Sequence, residues 1–365
     1  MSLPPPPPGQ PPFEPEPPAP PDPMSSYSPV PEPMPPMPAA PVAKPRSKRP
    51  WIVLGAIVLV VVGIVGFTQW QRQQTFDAGH TAYLNAGCQV AVDKLGQVSD
   101  GDSDMAAQAA AEQDECEDLL AADALADESP AEAVLAYSDL ITKLPDSPLA
   151  GAAQVKAQAL FADREATDLA TTDLCDALGG LEKQDLVGSP ATTLPALLIA
   201  CGNAYEAEQQ YTEALIVLDR FLTDYADHEL ATTAKDAFAR VTIADAAATG
   251  AGELPAPSAV GDSGEAGGLV KVVIQNDSPN SMSLVFKGPD VRVERLEPCT
   301  DCVEYHGTGP DACPEKGPVG EYVMQPGSYD VVVKAADDAG VTPFRGTWEL
   351  TPSDEFYSCF YLVTE

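Results

Sequence analysis

An uninterrupted apolar run near the N-terminus constrains the fold of this chain more than any other feature. Seventeen residues from Trp51 to Phe67 carry no charge. As a helix rising about 1.5 Å per residue, the run reaches ~25 Å, and the residues up to Trp70 bring it close to the thickness of a bilayer. The pattern therefore predicts a single transmembrane helix over residues 51–70, with the lipid bilayer as a partner of that segment.

The basic residues beside this run predict its orientation. Four bases precede it, and only Arg72 follows closely; the four are Lys44, Arg46, Lys48 and Arg49. Because basic flanks stay in the cytoplasm, the N-terminus is expected there and the C-terminal bulk outside it, as a single-pass signal anchor. A buried core helix and a cleaved signal peptide are the alternatives. A buried core helix of this length would contain polar residues, which the run lacks. A cleaved signal peptide would be followed by an A-x-A-like site, and none follows the run.

Residues 1–50 contain 22 prolines and end in the basic juxtamembrane segment. Proline removes amide donors and favours extended polyproline II, so this tail is predicted to be disordered and cytoplasmic. It is interpreted as a spacer, and docking of its proline-rich motifs on aromatic grooves is the alternative.

The charge of the chain excludes one class of partner. With 55 acidic and 20 basic residues the formal net charge is −35. A surface this negative repels phosphates, so nucleic acid is not expected as a partner. The carboxylates are interpreted as solvated helix faces, and no pair of them suggests a general acid and base. Accordingly no catalytic residue, no cofactor and no enzyme activity are predicted.

Residues 73–247 are rich in Ala, Leu, Asp and Glu, with Gly and Pro confined to short breaks, and this composition predicts an α-helical domain. Helices are expected near 74–98, 105–126, 131–144, 148–162, 165–178, 194–208, 211–225 and 229–247. Alternating acids at Asp100, Asp102 and Asp104 raise a calcium loop as an alternative, but Met105 and Ala111 stand where an EF-hand needs Gly and an acid.

Part of this domain carries a repeat pattern whose residues are Leu198, Gly202, Tyr205, Tyr211, Ala214, Leu218 and Phe221. Their spacing resembles that of a tetratricopeptide repeat (TPR), in which small residues let two antiparallel helices approach closely. A partial echo lies 81 residues earlier, at Ala133, Tyr137, Leu140 and Pro145. The resemblance covers about 130–247, and it implies a binding scaffold without catalysis. A helical hairpin array of another kind is the alternative.

All eight cysteines follow the apolar run, which predicts disulfides formed in an oxidising compartment. Cys88 and Cys116 are equidistant in sequence from Asp102, and Cys175 and Cys201 are equidistant from Gly188. Residues equidistant from the turn of an antiparallel helix pair lie at the same height. The pairs Cys88–Cys116 and Cys175–Cys201 are therefore predicted.

The other four cysteines, Cys299, Cys302, Cys313 and Cys359, allow three pairings, which the sequence leaves open. Together with His306, the first three could also offer thiolates and an imidazole to zinc, and the C-x-x-C spacing could serve redox chemistry. Disulfides are preferred, so no metal ligand is predicted.

Residues 248–268 are rich in Gly, Pro and Ala and are predicted to be a flexible linker. From residue 269 the apolar period changes to two, and about seven short strands are expected up to residue 365. The first two are expected to form a hairpin around Asn276–Asn280. Such spacing favours an antiparallel β-sandwich of immunoglobulin-like architecture.

The sequence therefore predicts a multidomain chain: a single transmembrane helix, an all-α TPR-like array, then an all-β immunoglobulin-like sandwich. The expected function is that of a membrane-anchored extracytoplasmic scaffold that binds proteins or peptides of the cell envelope. The alternative is a protein that binds cell-wall glycan or another surface polymer through the β-sandwich. In that alternative, aromatics such as Tyr305, Tyr322 or Trp348 stack on sugars, although Trp348 is better interpreted as a core residue.

Overall fold

The computed structural model describes residues 49–101, 103–335 and 341–364, with side chains described from residue 64 and not for Thr364. The predicted proline-rich tail therefore lies outside the described residues, except for its last two positions. So do Asp102, in the calcium alternative, and the side chains of the apolar run as far as residue 63. The described residues from Ile64 onward form one compact unit.

The described part of the chain begins with helices and ends with strands. The helices are α1 Arg49–Leu84, α2 Cys88–Leu95, α3 Asp104–Leu125, α4 Pro130–Lys143, α5 Pro148–Asp163, α6 Ala166–Leu169, α7 Thr172–Lys183, α8 Pro190–Ala207, α9 Tyr211–Asp224 and α10 Ala231–Ala248. The strands are β1 Gly252–Glu253, β2 Ser258–Asp262, β3 Val270–Asn276, β4 Met282–Lys287, β5 Val291–Leu296, β6 Tyr305–His306, β7 Val319–Met324, β8 Gly327–Ala335, β9 Phe344–Leu350, β10 Asp354–Phe360 and β11 Val363–Thr364.

The prediction of a transmembrane helix at 51–70 is wrong. Within the described residues, no helix combines the length and the apolar character that crossing a bilayer requires. The helix does not end at residue 70 but continues to Leu84, and this extension carries Arg72 and Asp77. It also buries Phe76 and Tyr83 in the core of the helical region. The predicted single-pass location, with its extracytoplasmic bulk, is overturned by the same finding.

Small residues allow the helices to pack closely. Gly202 of α8 lies against Leu218 of α9, and a Cβ added to the glycine would come within 2.6 Å of the leucine Cγ. The residues of the repeat pattern are otherwise mostly buried. Leu198, Tyr205, Ala214, Leu218, Phe221, Ala133, Tyr137 and Leu140 lie in the core, Tyr211 is half-buried, and Pro145 is exposed in the turn after α4.

The strands form two mixed sheets that share one core. A five-stranded sheet has the order β1-β9-β8-β4-β5, a four-stranded sheet has the order β2-β10-β3-β7, and β6 pairs with β11. Because β1 pairs with β9 and β3 with β10 in parallel, the prediction of an antiparallel immunoglobulin-like sandwich is wrong. The predicted hairpin at Asn276–Asn280 instead connects strands of different sheets. The core between the sheets includes Phe286 and Trp348.

The segment predicted as a flexible linker, 248–268, contributes two strands to these sheets. β1 extends the five-stranded sheet, and β2 is an edge of the four-stranded one. Leu254 is buried in the core between the sheets, and the indole Nε1 of Trp348 donates a hydrogen bond to the Pro255 carbonyl at 3.0 Å. The backbone of a Gly- and Pro-rich segment is thus fixed by contacts distant in sequence.

Helix α10 covers the outer face of the five-stranded sheet. Val285 and Val332, on that face, are buried in the same apolar cluster as the helices. An ion pair between Lys287 and Asp236 joins β4 to α10. The helical region therefore supports one sheet of the β region directly, because the sheet buries its outer face there.

Candidate ligand cleft in the β region

Four disulfides connect all eight cysteines: Cys88–Cys116, Cys175–Cys201, Cys299–Cys302 and Cys313–Cys359, with Cα–Cα distances of 4.9, 5.7, 5.3 and 6.1 Å. The first two pairings confirm the prediction made from equal distances to a turn. The other two select one of the three pairings that the sequence left open. The sulfurs of the helical region are buried, whereas Cys302, Cys313 and Cys359 are only partly buried.

A buried carboxylate organises the cysteine-rich loop. Asp277, which directly follows β3, is fully buried. Its oxygens accept hydrogen bonds from the backbone N–H groups of Glu315, Lys316 and Gly317 at 2.7, 2.9 and 2.6 Å. The side-chain amide of Gln275 donates a fourth bond at 3.2 Å. Such charge-assisted bonds are stronger than neutral ones, so this carboxylate holds the loop against the end of the sheet.

These bonds also decide the ionisation of Asp277. Burial on its own raises the pKa of a carboxyl group, because it disfavours the charged form. The hydrogen bonds from Gly317, Lys316, Gln275 and Glu315 act in the opposite direction and together outweigh burial, so the pKa of Asp277 lies below its ordinary value. The loop is therefore fastened to an anion at neutral pH.

Gly317 allows this close approach of loop and sheet. A Cβ at this position would lie 1.7 Å from the carbonyl oxygen of Asn276, at the end of β3. Any other residue would push the loop away from the strand, and the N–H donors of the loop would no longer reach Asp277.

Both disulfides of the β region adjoin the same carboxylate. The sulfurs of Cys302, Cys313 and Cys359 lie 4.0, 3.2 and 3.6 Å from its oxygens. Each sulfur pair lies with Asp277 within 4.8 Å, which is a spacing suited to metal donors. Each pair of sulfurs forms a disulfide, however, whereas zinc binds cysteine as the thiolate. The donor groups near Asp277 also do not include His306, the fourth ligand of the zinc alternative.

An apolar cleft opens beside this loop, at the end of the two sheets. Its volume is about 540 Å³, within the range of small-ligand and side-chain pockets. The described lining residues come mainly from the end of β10 and the residues after it, the start of β9, the end of β8 and the β3–β4 connection. Three apolar side chains of the lining stay unusually accessible: Phe344 at 44%, Tyr361 at 38% and Val363 at 40% exposed.

A few polar groups interrupt the apolar lining. Ser358 occupies an inward-facing position of β10, opposite Ile274 of β3, between Phe356 and Phe360. Lys334, near the end of β8, is half-buried and is the single charged residue among the described lining residues. The cleft can thus combine burial of an apolar group with a small number of directional polar contacts.

A second groove, of about 550 Å³, lies between helices α9 and α10 and the five-stranded sheet. Ile216 stands at its border with 64% exposure, and Asp219, Asp245 and Arg295 also line it. Lys334 lines both this interlayer groove and the cleft. The groove is a competing surface for a partner, and its lining carries more charged residues than that of the cleft.

The ionisable groups of the helical region form structural pairs. Tyr83, Tyr137 and Tyr205 donate hydrogen bonds to Glu115, Asp123 and Asp176 on neighbouring helices, at 2.6, 2.7 and 2.6 Å. Burial, followed by these bonds, raises the pKa of each phenol, that of Tyr83 to about 12. Phenols that stay protonated in this way join helices and are not nucleophiles.

His80 makes a further contact between helices. Its Nδ1 lies 2.8 Å from Oε1 of the buried Glu112, which also accepts a hydrogen bond from Gln108 at 2.7 Å. This contact fixes α1 to α3.

Two of the aromatics named for a glycan-binding role are in the core. Trp348 is fully buried and Tyr322 is 7% exposed, so neither can stack on a sugar from solvent. Tyr305 packs edge-to-face on Tyr361 at 5.9 Å, close to the cleft. The burial of Trp348 agrees with its interpretation as a core residue. Alternation did not identify Tyr322 as one, because the inner row of a strand is defined only when the second sheet is known.

The cleft itself was not predicted from the sequence. Its walls are brought together by the parallel pairing of β3 with β10, two strands about 80 residues apart. The one local signal is Ser358, a polar residue at an inward position of an otherwise aromatic row. Comparisons with family models and with curated proteins find no match to this chain.

Proposed function

We propose that this chain is a non-catalytic interaction scaffold that holds an apolar segment of a protein or peptide partner in the cleft. The observation that carries the proposal is the exposed apolar lining around Phe344, Tyr361 and Val363. Contiguous apolar groups that remain accessible on a folded protein characterise binding sites. Side chains of this size favour an apolar anchor residue of the partner.

The walls of the cleft support this role because they are fixed before a partner arrives. Cys359 lines the cleft and is bonded to Cys313, and Asp277 fastens the adjacent loop. Helix α10 supports the five-stranded sheet from behind. A preorganised site loses less conformational entropy on binding, which favours affinity.

The chemistry of the lining favours binding over catalysis. Its described residues include no His, Asp or Glu that could activate a nucleophile. Lys334 and Ser358 also face different sides of their sheets, since Lys334 pairs with Ser283 on the helix-facing side and Ser358 lies opposite the core residue Ile274. A serine–lysine pair is therefore not formed by these two residues.

Selection from a random peptide library tests the proposal. The full-length chain, with its disulfides intact, serves as the target, and affinities of the enriched peptides are measured by fluorescence anisotropy. Peptides with apolar anchors should bind the wild type, and Phe344→Ala should weaken them about tenfold or more, as loss of an anchor contact does. Ile216→Ala is the matched control, because it removes an exposed apolar side chain from the interlayer groove. If Ile216→Ala weakens the peptides and Phe344→Ala does not, or if no peptide is enriched, the proposal is wrong.

A further inference from the structure

We infer that the partner segment held in the cleft carries an acidic side chain next to its apolar anchor, and that Lys334 recognises this carboxylate. The inference rests on the proposed function, since it names the chemistry of the segment that the cleft would hold. It starts from the charge of the lining: in a chain with 55 acids and 20 bases, the single charged residue among the described lining residues is a lysine.

Lys334 is positioned to receive an anion. It is half-buried at the rim of the cleft, where a charge interacts more strongly than on open surface. Among the described residues, no carboxylate oxygen lies within 4.0 Å of its ammonium group, in contrast to Lys287 and Lys271, which are paired with acids. An incoming carboxylate therefore does not have to displace an ion pair made by the described part of the chain.

Two hydroxyl groups of the lining add hydrogen-bond donors elsewhere in the cleft, for other atoms of the partner segment. Ser358 faces inward from β10, and Thr342 lies just before β9 on the opposite wall of the cleft. Neither hydroxyl makes a hydrogen bond to another described residue. A hydroxyl on an apolar wall favours a ligand with acceptor oxygens, which the backbone carbonyls of a peptide supply. The hydroxyls thus suit the backbone of a peptide, and Lys334 suits its acidic side chain.

The strong acidity of the whole protein does not exclude this ligand. At physiological salt the screening length is about 8 Å, so acids spread over the surface act weakly inside the cleft. Asp219 and Asp245 line the interlayer groove and not the cleft. Asp277 adjoins the cleft residue Cys359, but its carboxylate already accepts four hydrogen bonds from the loop and from Gln275. The local cation therefore determines the preference, while the net charge slows the approach of an anion.

Two dyes that share a ring system test this inference. N-phenyl-1-naphthylamine is neutral, and 1-anilinonaphthalene-8-sulfonate adds one anionic group. Both are titrated by fluorescence into the full-length chain with its disulfides intact. Lys334→Gln is compared with Lys183→Gln, which makes the same charge change at an exposed lysine at the end of α7, outside the cleft lining. Phe344→Ala reports whether the dyes occupy the cleft.

The expected result is that Lys334→Gln weakens the anionic dye about three- to fivefold, as loss of one partly exposed ion pair does. Binding of the neutral dye should be unaffected, and Lys183→Gln should change the binding of neither dye. Equal effects of the two lysine variants, or no effect of Lys334→Gln, would overturn the inference but leave the cleft as a binding site. Failure of both dyes to respond to Phe344→Ala would instead contradict the proposed function.

A double-mutant cycle tests whether Lys334 contacts the acidic side chain of a bound peptide. In a library-selected peptide, each acidic residue beside the apolar anchor is replaced by its amide. The replacement should weaken binding to the wild type several-fold and leave binding to Lys334→Gln unchanged. If both proteins lose the same affinity, or neither does, Lys334 does not recognise the carboxylate.

Discussion

Replacing Asp277 with asparagine tests how the wall of the cleft is held. Asparagine keeps one oxygen, so Lys316 and Gly317 can still donate to it, but the amide nitrogen then faces the N–H of Glu315. One bond to a charged group is lost, at about 1.5–3 kcal/mol, and the remaining bonds become neutral ones, each weaker by about 1 kcal/mol. Relief of the buried charge offsets part of this loss. The expected decrease in the free energy of unfolding is about 3 kcal/mol.

The lowered pKa of Asp277 determines how the stability difference between wild type and Asp277→Asn changes with pH. Because the pKa of Asp277 is lowered in the folded chain, the unfolded chain takes up a proton first as the pH falls. The contribution of this carboxylate is therefore complete above the unfolded pKa, about 4, and is lost as the pH falls through the lower folded pKa. The difference between wild type and Asp277→Asn should be largest near pH 7 and should shrink below about pH 4.

Urea unfolding with the disulfides intact measures this difference. The chain has three tryptophans, so Trp51 and Trp70 are replaced by phenylalanine in both proteins. The remaining fluorescence is that of Trp348, which is fully buried between the two sheets and reports on the β region. Asp262→Asn is the matched control, since Asp262 also accepts a backbone N–H bond, from Gly264 at 2.9 Å, but is exposed. The control should change the stability by less than about 1 kcal/mol. An equally small effect of Asp277→Asn, or a difference that does not vary between pH 7 and pH 2, would refute this explanation of the loop.

Three further predictions concern packing and redox state. Gly202→Ala should lower the free energy of unfolding by about 1–3 kcal/mol because its Cβ overlaps Leu218, whereas Gly151→Ala, with nothing within 4 Å, should raise it by about 0.5–1 kcal/mol in denaturant melts. Trp348→Phe should lower it by at least about 1 kcal/mol through loss of the bond to the Pro255 carbonyl, with faster hydrogen exchange in β1. A mild reductant should open the two partly exposed disulfides of the β region before the two buried ones of the helical region, as alkylation and mass spectrometry would detect; the reverse order would contradict the assigned burial.

Local patterns predicted the helical region better than the β region, for physical reasons. Helices that follow each other in the chain pack against each other across a turn. Equal distances in sequence from that turn were therefore enough to pair Cys88 with Cys116 and Cys175 with Cys201. The period of two correctly indicated most strands. Their arrangement into mixed sheets depends on contacts between distant segments, which alternation does not encode.

The two largest misreadings have the same origin. Apolar length alone predicted a membrane span, but the helix continues to Leu84 and packs Phe76 and Tyr83 against neighbours that the run itself does not reveal. Gly and Pro content predicted a linker at 248–268, but Leu254 is drawn into the core between the sheets. The role of Asp277 could not be foreseen either, since its partners lie about 40 residues away.

Site-specific photocrosslinking tests the central claim, that the cleft is the site where a partner binds. p-Benzoylphenylalanine is introduced in place of Phe344, at the cleft, or Ile216, at the interlayer groove, and irradiated with a library-selected peptide. Mass spectrometry should find the peptide attached at position 344 and not at position 216. Attachment at position 216 alone, or equal attachment at both positions, would contradict the account.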